Sequence, residues 1–333
     1  MRFLRLVPDD TRIDFVRHRF IAFAVTGLLL VLTVAALAAR GLNLGVDFAG
    51  GTLIEARAEH ALDLGELRAR IGALGLGDFE LQQYGDDNGL LIRIEQAPER
   101  AGAAVAAGVR GALGEGFEFV RVETVGPRVG SELLRDGMLA TLFAIVAIAL
   151  YVATRFEWQF GLAAIVAIFH DVITTVGLFS ALQLEFSLSS VAALLLLAGY
   201  SVNDTIVVFD RIRETLRKRK TGDLPAIIND SVNRTLSRTI MTSGTTLLAI
   251  LPLIAFGGSA LYGFSLALAW GIVVGTYSSI FVAAPLLLYL PSVARAPAPG
   301  PGPEAAMPDG TRTRTTRAQD IAAIKPGGTP AVT

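Results

Sequence analysis

Cysteine is absent from the 333 residues. That excludes a disulfide framework, a thiolate nucleophile and a cysteine-ligated metal, and it leaves the redox compartment unreadable. Histidine occurs only three times, and the one within an apolar window, His170 beside Asp171, is a weak metal signal without further ligands. Charge is scarce too. Charged residues make up 18% of the chain and hydrophobic ones 52%, and the mean hydropathy is +0.54. A soluble protein of this size has no use for so much apolar surface, so the composition reads as an integral membrane protein. The net charge of -1 gives no sign of a nucleic-acid partner. Where the charges stand is more informative.

A spanning helix needs about 20 apolar residues to cross about 30 Å of hydrocarbon. Windows meeting that need place spans at 20–39, 133–154, 158–182, 187–210, 239–257 and 263–290. The third is interrupted only by His170 and Asp171, and the fourth, up to Phe209, only by Asp204. From Thr239 to Ala294 there is no charge at all, too long a run for one span, and FGGSALYG (256–263) is its natural turn. The first window resembles a signal peptide at AALAAR (35–40), but its apolar stretch exceeds the usual h-region of about 7–15 residues, so it is read as a retained span.

Lys and Arg crowd two places: residues 1–19, with Arg2, Arg5, Arg12, Arg17 and Arg19, and the link 211–238, with Arg211, Arg213, Arg217, Lys218, Arg234 and Arg238 among others. Both segments are therefore expected on the cytoplasmic side, the link as a basic loop. An even number of spans then puts the C-terminus there as well. Residues 291–333 are rich in Pro, Gly, Ala and Thr, cannot bury a core, and read as a disordered cytoplasmic tail.

Between the first two spans, residues 40–132 form the sizeable segment outside the membrane. Strands are expected at 52–59, 78–84, 89–96 and 117–125, and helices at 64–74 and 98–113. GDDN supplies a turn between the middle strands, and Pro98 stands where a helix start tolerates it. The order βαββαβ is the ferredoxin-like, split-βαβ arrangement. The fold class is thus an α-helical polytopic membrane protein, one span plus five, with a small α+β external domain. That domain offers no histidine cluster, phosphate loop or acid pair, and reads as an interaction module.

Function should concentrate at the charges within the spans. An Asp at membrane depth costs about 2.5–3.5 kcal/mol on insertion scales, so it persists where it faces helices, water or a partner charge. Asp204 lies six residues, or about 9 Å, inward of Asp210. Arg238 starts the fifth span, and Thr242, Thr245 and Thr246 follow it as a hydroxyl stripe. Such a face suits a switchable pair, with Asp204 meeting Arg238 when ionised and releasing it when protonated. Asn203, beside Asp204, and the His170–Asp171 pair complete the polar groups at depth. Asp171 shares a face with Ala164, Ala167, Thr174 and Thr175, so a structural hydrogen bond between spans and a place in a proton route both stay open for it.

GVDFAGGT (45–52), HDV (170–172), AGYSVNDTIVVFDRIRE (198–214) and NRTLSRTIMTSGTT (233–246) together resemble the SecF family of the bacterial Sec protein-export apparatus, over residues 1 to about 290. The resemblance implies the resistance-nodulation-division (RND) architecture, in which SecD supplies the other half of a pseudo-symmetric pair. It implies a chain of the bacterial cytoplasmic membrane that is not an enzyme. Such a chain uses the proton-motive force, with protons as the coupling ion and no cofactor, to help the SecYEG channel and the SecA motor move preproteins. YajC and YidC are further implied neighbours. Asp204 and Arg238 would be the proton-linked residues, and Asp47, Gly50 and Gly51 of the DFAGG element would couple the first span to the external domain.

Two other classes remain. An RND-type exporter half for small molecules would share the carboxylate logic but needs a larger external domain with a substrate pocket. An intramembrane aspartyl protease would use Asp171 and Asp204 as a proton-sharing pair, but it should show a Gly-x-Gly-Asp element, and the chain has GYSVND instead.

Overall fold

The computed structural model of the protein describes residues 11–60, 62–84, 88–95, 102–218 and 223–291. Helix α1 (Arg19–Arg40) runs through the first apolar window and stops at Gly41. A two-residue strand, β1 (Asn43–Leu44), and one helical turn, α2 (Val46–Ala49), lead into the sheet domain. That domain comprises β2 (Gly51–Ala58), α3 (Leu64–Gly72), β3 (Phe79–Tyr84), β4 (Gly89–Ile94), α4 (Gly102–Leu113) and β5 (Phe117–Val125). Asp63 caps α3, its carboxylate accepting from the N–H groups of Gly65 at 2.8 Å and Glu66 at 3.1 Å.

The strands lie in the order β3-β4-β2-β5, and each neighbouring pair is antiparallel. Helix α3 therefore joins two strands with β4 between them, and α4 joins two with β2 between them, which makes two interlocked split βαβ units. Alternation along the strands aims Ile54, Leu81, Leu90 and Ile92 at one face, where they pack on Leu67 and Ile71 of α3 and Val105 and Val109 of α4. The expected helix start at Pro98 and most of the GDDN turn lie outside the described residues, as does nearly all of the tail at 291–333.

Helices α5 (Pro127–Arg155) and α6 (Trp158–Leu182) follow, then a short strand β6 (Glu185–Phe186), then α7 (Leu188–Lys218) and α8 (Leu224–Phe256). Helix α9 (Gly258–Ser278) continues through a π-helical turn, Ser279–Ala283, into α10 (Ala284–Leu286). Among the described residues, six helical stretches are long and apolar enough to cross a membrane: α1, α5, α6, α7, α8 and Leu261–Leu286. The chain is a multi-pass membrane protein with a sheet-containing domain inserted after the first span.

The spans are unequal. Of the most apolar window, 61% is buried in α6, 50% in α7 and 61% in the last span, against 11% in α1 and in α5. The first three therefore form the interior of the bundle, while Leu28 and Val31 of α1 and Leu142 and Phe143 of α5 present exposed apolar surface, as lipid-facing residues do. Small residues let the interior helices approach. At Gly271 a Cβ would come within 2.4 Å of Leu197 Cδ1, so α9 lies this close to α7 only without a side chain there.

Two expectations need correction. The segment 211–238, expected as a basic loop, is helical through Lys218 and again from Leu224. Ile212, Ile227, Ile228 and Val232 of these extensions are buried in the same core as the spans. Their charges pair along the helices, Arg211 with Glu214 at 2.6 Å and Arg234 with Asp230 at 2.9 Å. Hydropathy detects where hydrocarbon ends, whereas an amphipathic helix continues past that level. The turn expected over 256–263 is also shorter: α8 ends at Phe256 and α9 begins at Gly258, whose φ of +67° makes the reversal.

Candidate functional site

Asp204 is buried in α7, 3% exposed. Its Oδ2 accepts one long hydrogen bond, 3.4 Å, from Ser243 Oγ of α8. Ser243 Oγ in turn shares a 2.7 Å bond with Thr276 Oγ1 of α9. The carboxylate thus meets the fifth and sixth spans through one hydroxyl pair, and it is loosely held.

The expected contact with Arg238 is not made. Arg238 is exposed and forms no ion pair among the described residues, although its charge is within electrostatic reach of Asp204. Helix geometry explains this. Five residues separate Arg238 from Ser243, about 140° around the helix at 100° per residue, so α8 cannot turn both toward α7. The stripe divides for the same reason. Thr245 is exposed and its hydroxyl donates back to Met241 O at 2.8 Å. Thr242 donates to Thr239 O at 2.9 Å and stands near Asp204. Thr246 reaches α7 through Tyr200, whose hydroxyl donates to it at 3.3 Å. Asn203 is exposed, on a different side of α7 from the buried Asp204.

Asp171 is the opposite case. It is wholly buried, and its oxygens are well supplied: Oδ1 lies 2.9 Å from His170 Nδ1, and Oδ2 accepts from Ser201 Oγ at 2.5 Å and Ser278 Oγ at 2.7 Å. One carboxylate therefore ties α6, α7 and α9 together. Thr205 of α7 and Ser279 of the π-helical turn pair beside it at 2.8 Å. His170 Nε2 is buried without a hydrogen-bond partner among the described residues. Asp171 and Asp204 take separate donors and do not bond to each other, which argues against the proton-sharing dyad of an aspartyl protease. Among the described residues no three His, Asp or Glu side chains cluster as a metal site requires.

Sequence reasoning passed over Ser201, Ser243, Thr276, Ser278 and Ser279. The one visible signal was TYSS (276–279) in an otherwise apolar span. A π-helical turn begins at that run, and such turns often mark functional positions.

The DFAGG element forms a joint between the domain and the spans. Asp47 Oδ2 accepts from the N–H of Leu188, the first residue of α7, at 2.9 Å, so it satisfies a free donor at that helix's start. Gly50 and Gly51 have φ of +77° and +123°. A Cβ on Gly50 would stand 2.8 Å from Pro127 Cα, and one on Gly51 would stand 2.5 Å from Ile94 O. Backbone strain alone makes Gly51→Ala cost of order 1–3 kcal/mol before the clash. Limited proteolysis of the full chain should show the sheet domain cut roughly tenfold faster in that variant, with the spans intact, since about 1.4 kcal/mol corresponds to tenfold in an equilibrium. Unchanged cleavage would refute the requirement for glycine.

The family described as "Protein export membrane protein SecD/SecF, C-terminal" matches residues 107–293, and the "SecD/SecF GG Motif" matches residues 35–61. A "Protein translocase subunit SecF" from Rickettsia rickettsii is 43% identical over 288 residues, 85% of this chain and 94% of the relative. Another of that name, from Desulfurispirillum indicum, is 44% identical over 286 residues, 83% of this chain and 91% of the relative. Among solved structures, "SecDF, a translocon-associated membrane protein" from Thermus thermophilus superposes with a TM-score of 0.78 at 38% identity. That match covers 87% of this chain and 39% of the longer SecDF chain. With a family match over more than half its length, and named relatives above two fifths identity along most of it, the chain belongs to the SecD/SecF family of protein-export membrane proteins, as a SecF-type translocase subunit.

Proposed function

We propose that this chain, paired with a SecD-like subunit, couples proton movement through the bacterial cytoplasmic membrane to preprotein export by SecYEG and SecA. Both termini are then cytoplasmic and the sheet domain lies outside, with YajC and YidC as further neighbours. The observation that carries the reading is the contrast between the two acids buried within the spans. Asp171 has three polar partners within 2.9 Å and is built as a fixed tie, whereas the Ser243 hydroxyl reaches Asp204 only at 3.4 Å, with Thr242 near it and the charge of Arg238 within reach. A carboxylate so loosely held can exchange partners when its proton comes or goes.

Asp204 sits on the same helix whose first N–H is held by Asp47, so a shift of α7 is felt at the joint. Moving one charge across 100 mV supplies about 2.3 kcal/mol, enough to change the ratio of two conformations by about fiftyfold but not to unfold a domain at one stroke. The work must therefore be repetitive. The chain needs no cofactor beyond the proton and is not an enzyme in this scheme. Preprotein export into membrane vesicles with an imposed gradient, compared between the natural chain and Asp204→Asn, tests the proposal.

A further inference from the structure

A third carboxylate lies outside the spans, at the joint itself. Glu185 stands in β6, which pairs in parallel with β1, Asn43 opposite Glu185 and Leu44 opposite Phe186. Its Oε1 lies 3.4 Å from Arg93 Nη2 of β4, and the two side chains are 29% and 16% exposed. Arg93 directs Nη1 to Asn43 Oδ1 at 2.8 Å, so its grip on Glu185 is the weaker of the two. A Cβ on Gly45 would lie 2.6 Å from the Glu185 carboxylate, which is pressed against backbone. This one side chain thus touches β1, the link between the third and fourth spans, and the sheet.

Apart from Arg93, the charges facing Glu185 are two acids and one base. Asp47 of α2 faces it, already holding the Leu188 N–H, as do Arg121 and Glu123 of β5, which are paired with each other at 2.5 Å. Burial raises the Glu185 carboxyl above its ordinary value, Arg93 offsets part of that rise and Asp47 adds to it. The site therefore disfavours the anion relative to a solvent-exposed glutamate.

We propose that Glu185 is a proton-responsive positioning residue: protonated, it lets the sheet domain seat on the span ends, and ionised, it loosens that seat. The direction follows from linkage. A group that holds its proton more tightly in the seated state than when released draws the seated state toward low pH, and seating is lost as pH rises through the raised seated-state value. The window therefore opens above the ordinary Glu value of 4.5. This second proton site does not depend on Asp204, and it stands or falls separately from the coupling proposed above.

Because the chain has no cysteine, a single pair can be introduced without background, Ala107→Cys on α4 and Leu182→Cys at the end of α6, both exposed positions. Spin labels on this pair in the full chain, held in nanodiscs, report the distance between domain and span end by double electron–electron resonance. Between pH 8 and pH 5 the narrow seated population should grow several-fold. Glu185→Gln should show that population already at pH 8, and Arg93→Gln should move the transition to higher pH by removing the main cation. Distances that ignore pH, a pH response that survives Glu185→Gln, or an unmoved transition in Arg93→Gln would each overturn the proposal.

Discussion

Vesicles carrying Asp204→Asn are expected to export preprotein at the rate that SecA alone sustains, with the gradient-dependent increment gone. Asparagine matches aspartate in size and keeps an oxygen for the Ser243 hydroxyl at 3.4 Å, so the packing among α7, α8 and α9 is retained. What it loses is the titratable proton. Insertion should not suffer, because the variant removes a group that costs about 2.5–3.5 kcal/mol at membrane depth. Arg238→Met, which keeps the length of the stem and removes the charge, should give the same loss. The exposed position of Arg238, without an ion pair among the described residues, makes this second arm the more severe one: if the guanidinium served only to anchor α8 at the interface, the gradient-dependent rate would persist. Full stimulation by the gradient in either variant, in vesicles with normal amounts of the protein, would refute the coupling scheme.

Asp171→Ala is expected to fail differently, by loosening the bundle. Three donors on three helices lose their acceptor at once: His170, Ser201 and Ser278. Two of these bonds, from Ser201 and Ser278, cross between helices, and at the membrane average of ~0.6 kcal/mol per interhelical bond their loss is about 1 kcal/mol. It approaches 5 kcal/mol if each orphaned group bears the penalty seen in soluble cores, roughly 1–3 kcal/mol. Thermal unfolding in detergent should reveal it as a lower midpoint, while Asp171→Asn, which keeps an acceptor oxygen, should recover most of the difference. The asparagine variant also decides the role left open by the sequence. Normal gradient-dependent export in Asp171→Asn makes the residue a tie between helices, and a loss as complete as that of Asp204→Asn places it on the proton route.

Much of this was legible in the chain because the bilayer imposes simple rules. Windows with few or no charges marked the six spans, since a helix is the way a single segment satisfies its backbone in hydrocarbon. The strand alternation at 52–59 and 89–96 pointed to a half-buried sheet in the right order, and the observed strands, Gly51–Ala58 and Gly89–Ile94, differ by one or two residues at their ends. Asp204 and Asp171 stood out because an acid within an apolar run demands an explanation. The ends of α7 and α8 did not stand out, because past the hydrocarbon level a buried Ile228 and an exposed Arg234 follow amphipathic rather than hydropathic rules.

By itself, then, the sequence determined which segments enter the membrane, where the sheet domain is inserted and which two acids lie within the spans, all consequences of local composition and short-range periodicity. Only the tertiary structure decided what those acids meet. A serine is unremarked in an apolar helix until its rotation is known. Two residues adjacent in sequence lie about 100° apart on the helix, so whether Asp204 finds Thr242, Ser243 or Arg238 depends on how α8 is turned against α7. Whether Ser278 and Ser279 reach Asp171 and Thr205 depends on α9 and on the π-helical turn that begins beside them. Those rotations are set by contacts between helices far apart in the chain, such as Gly271 against Leu197, and the sequence of no single helix contains them.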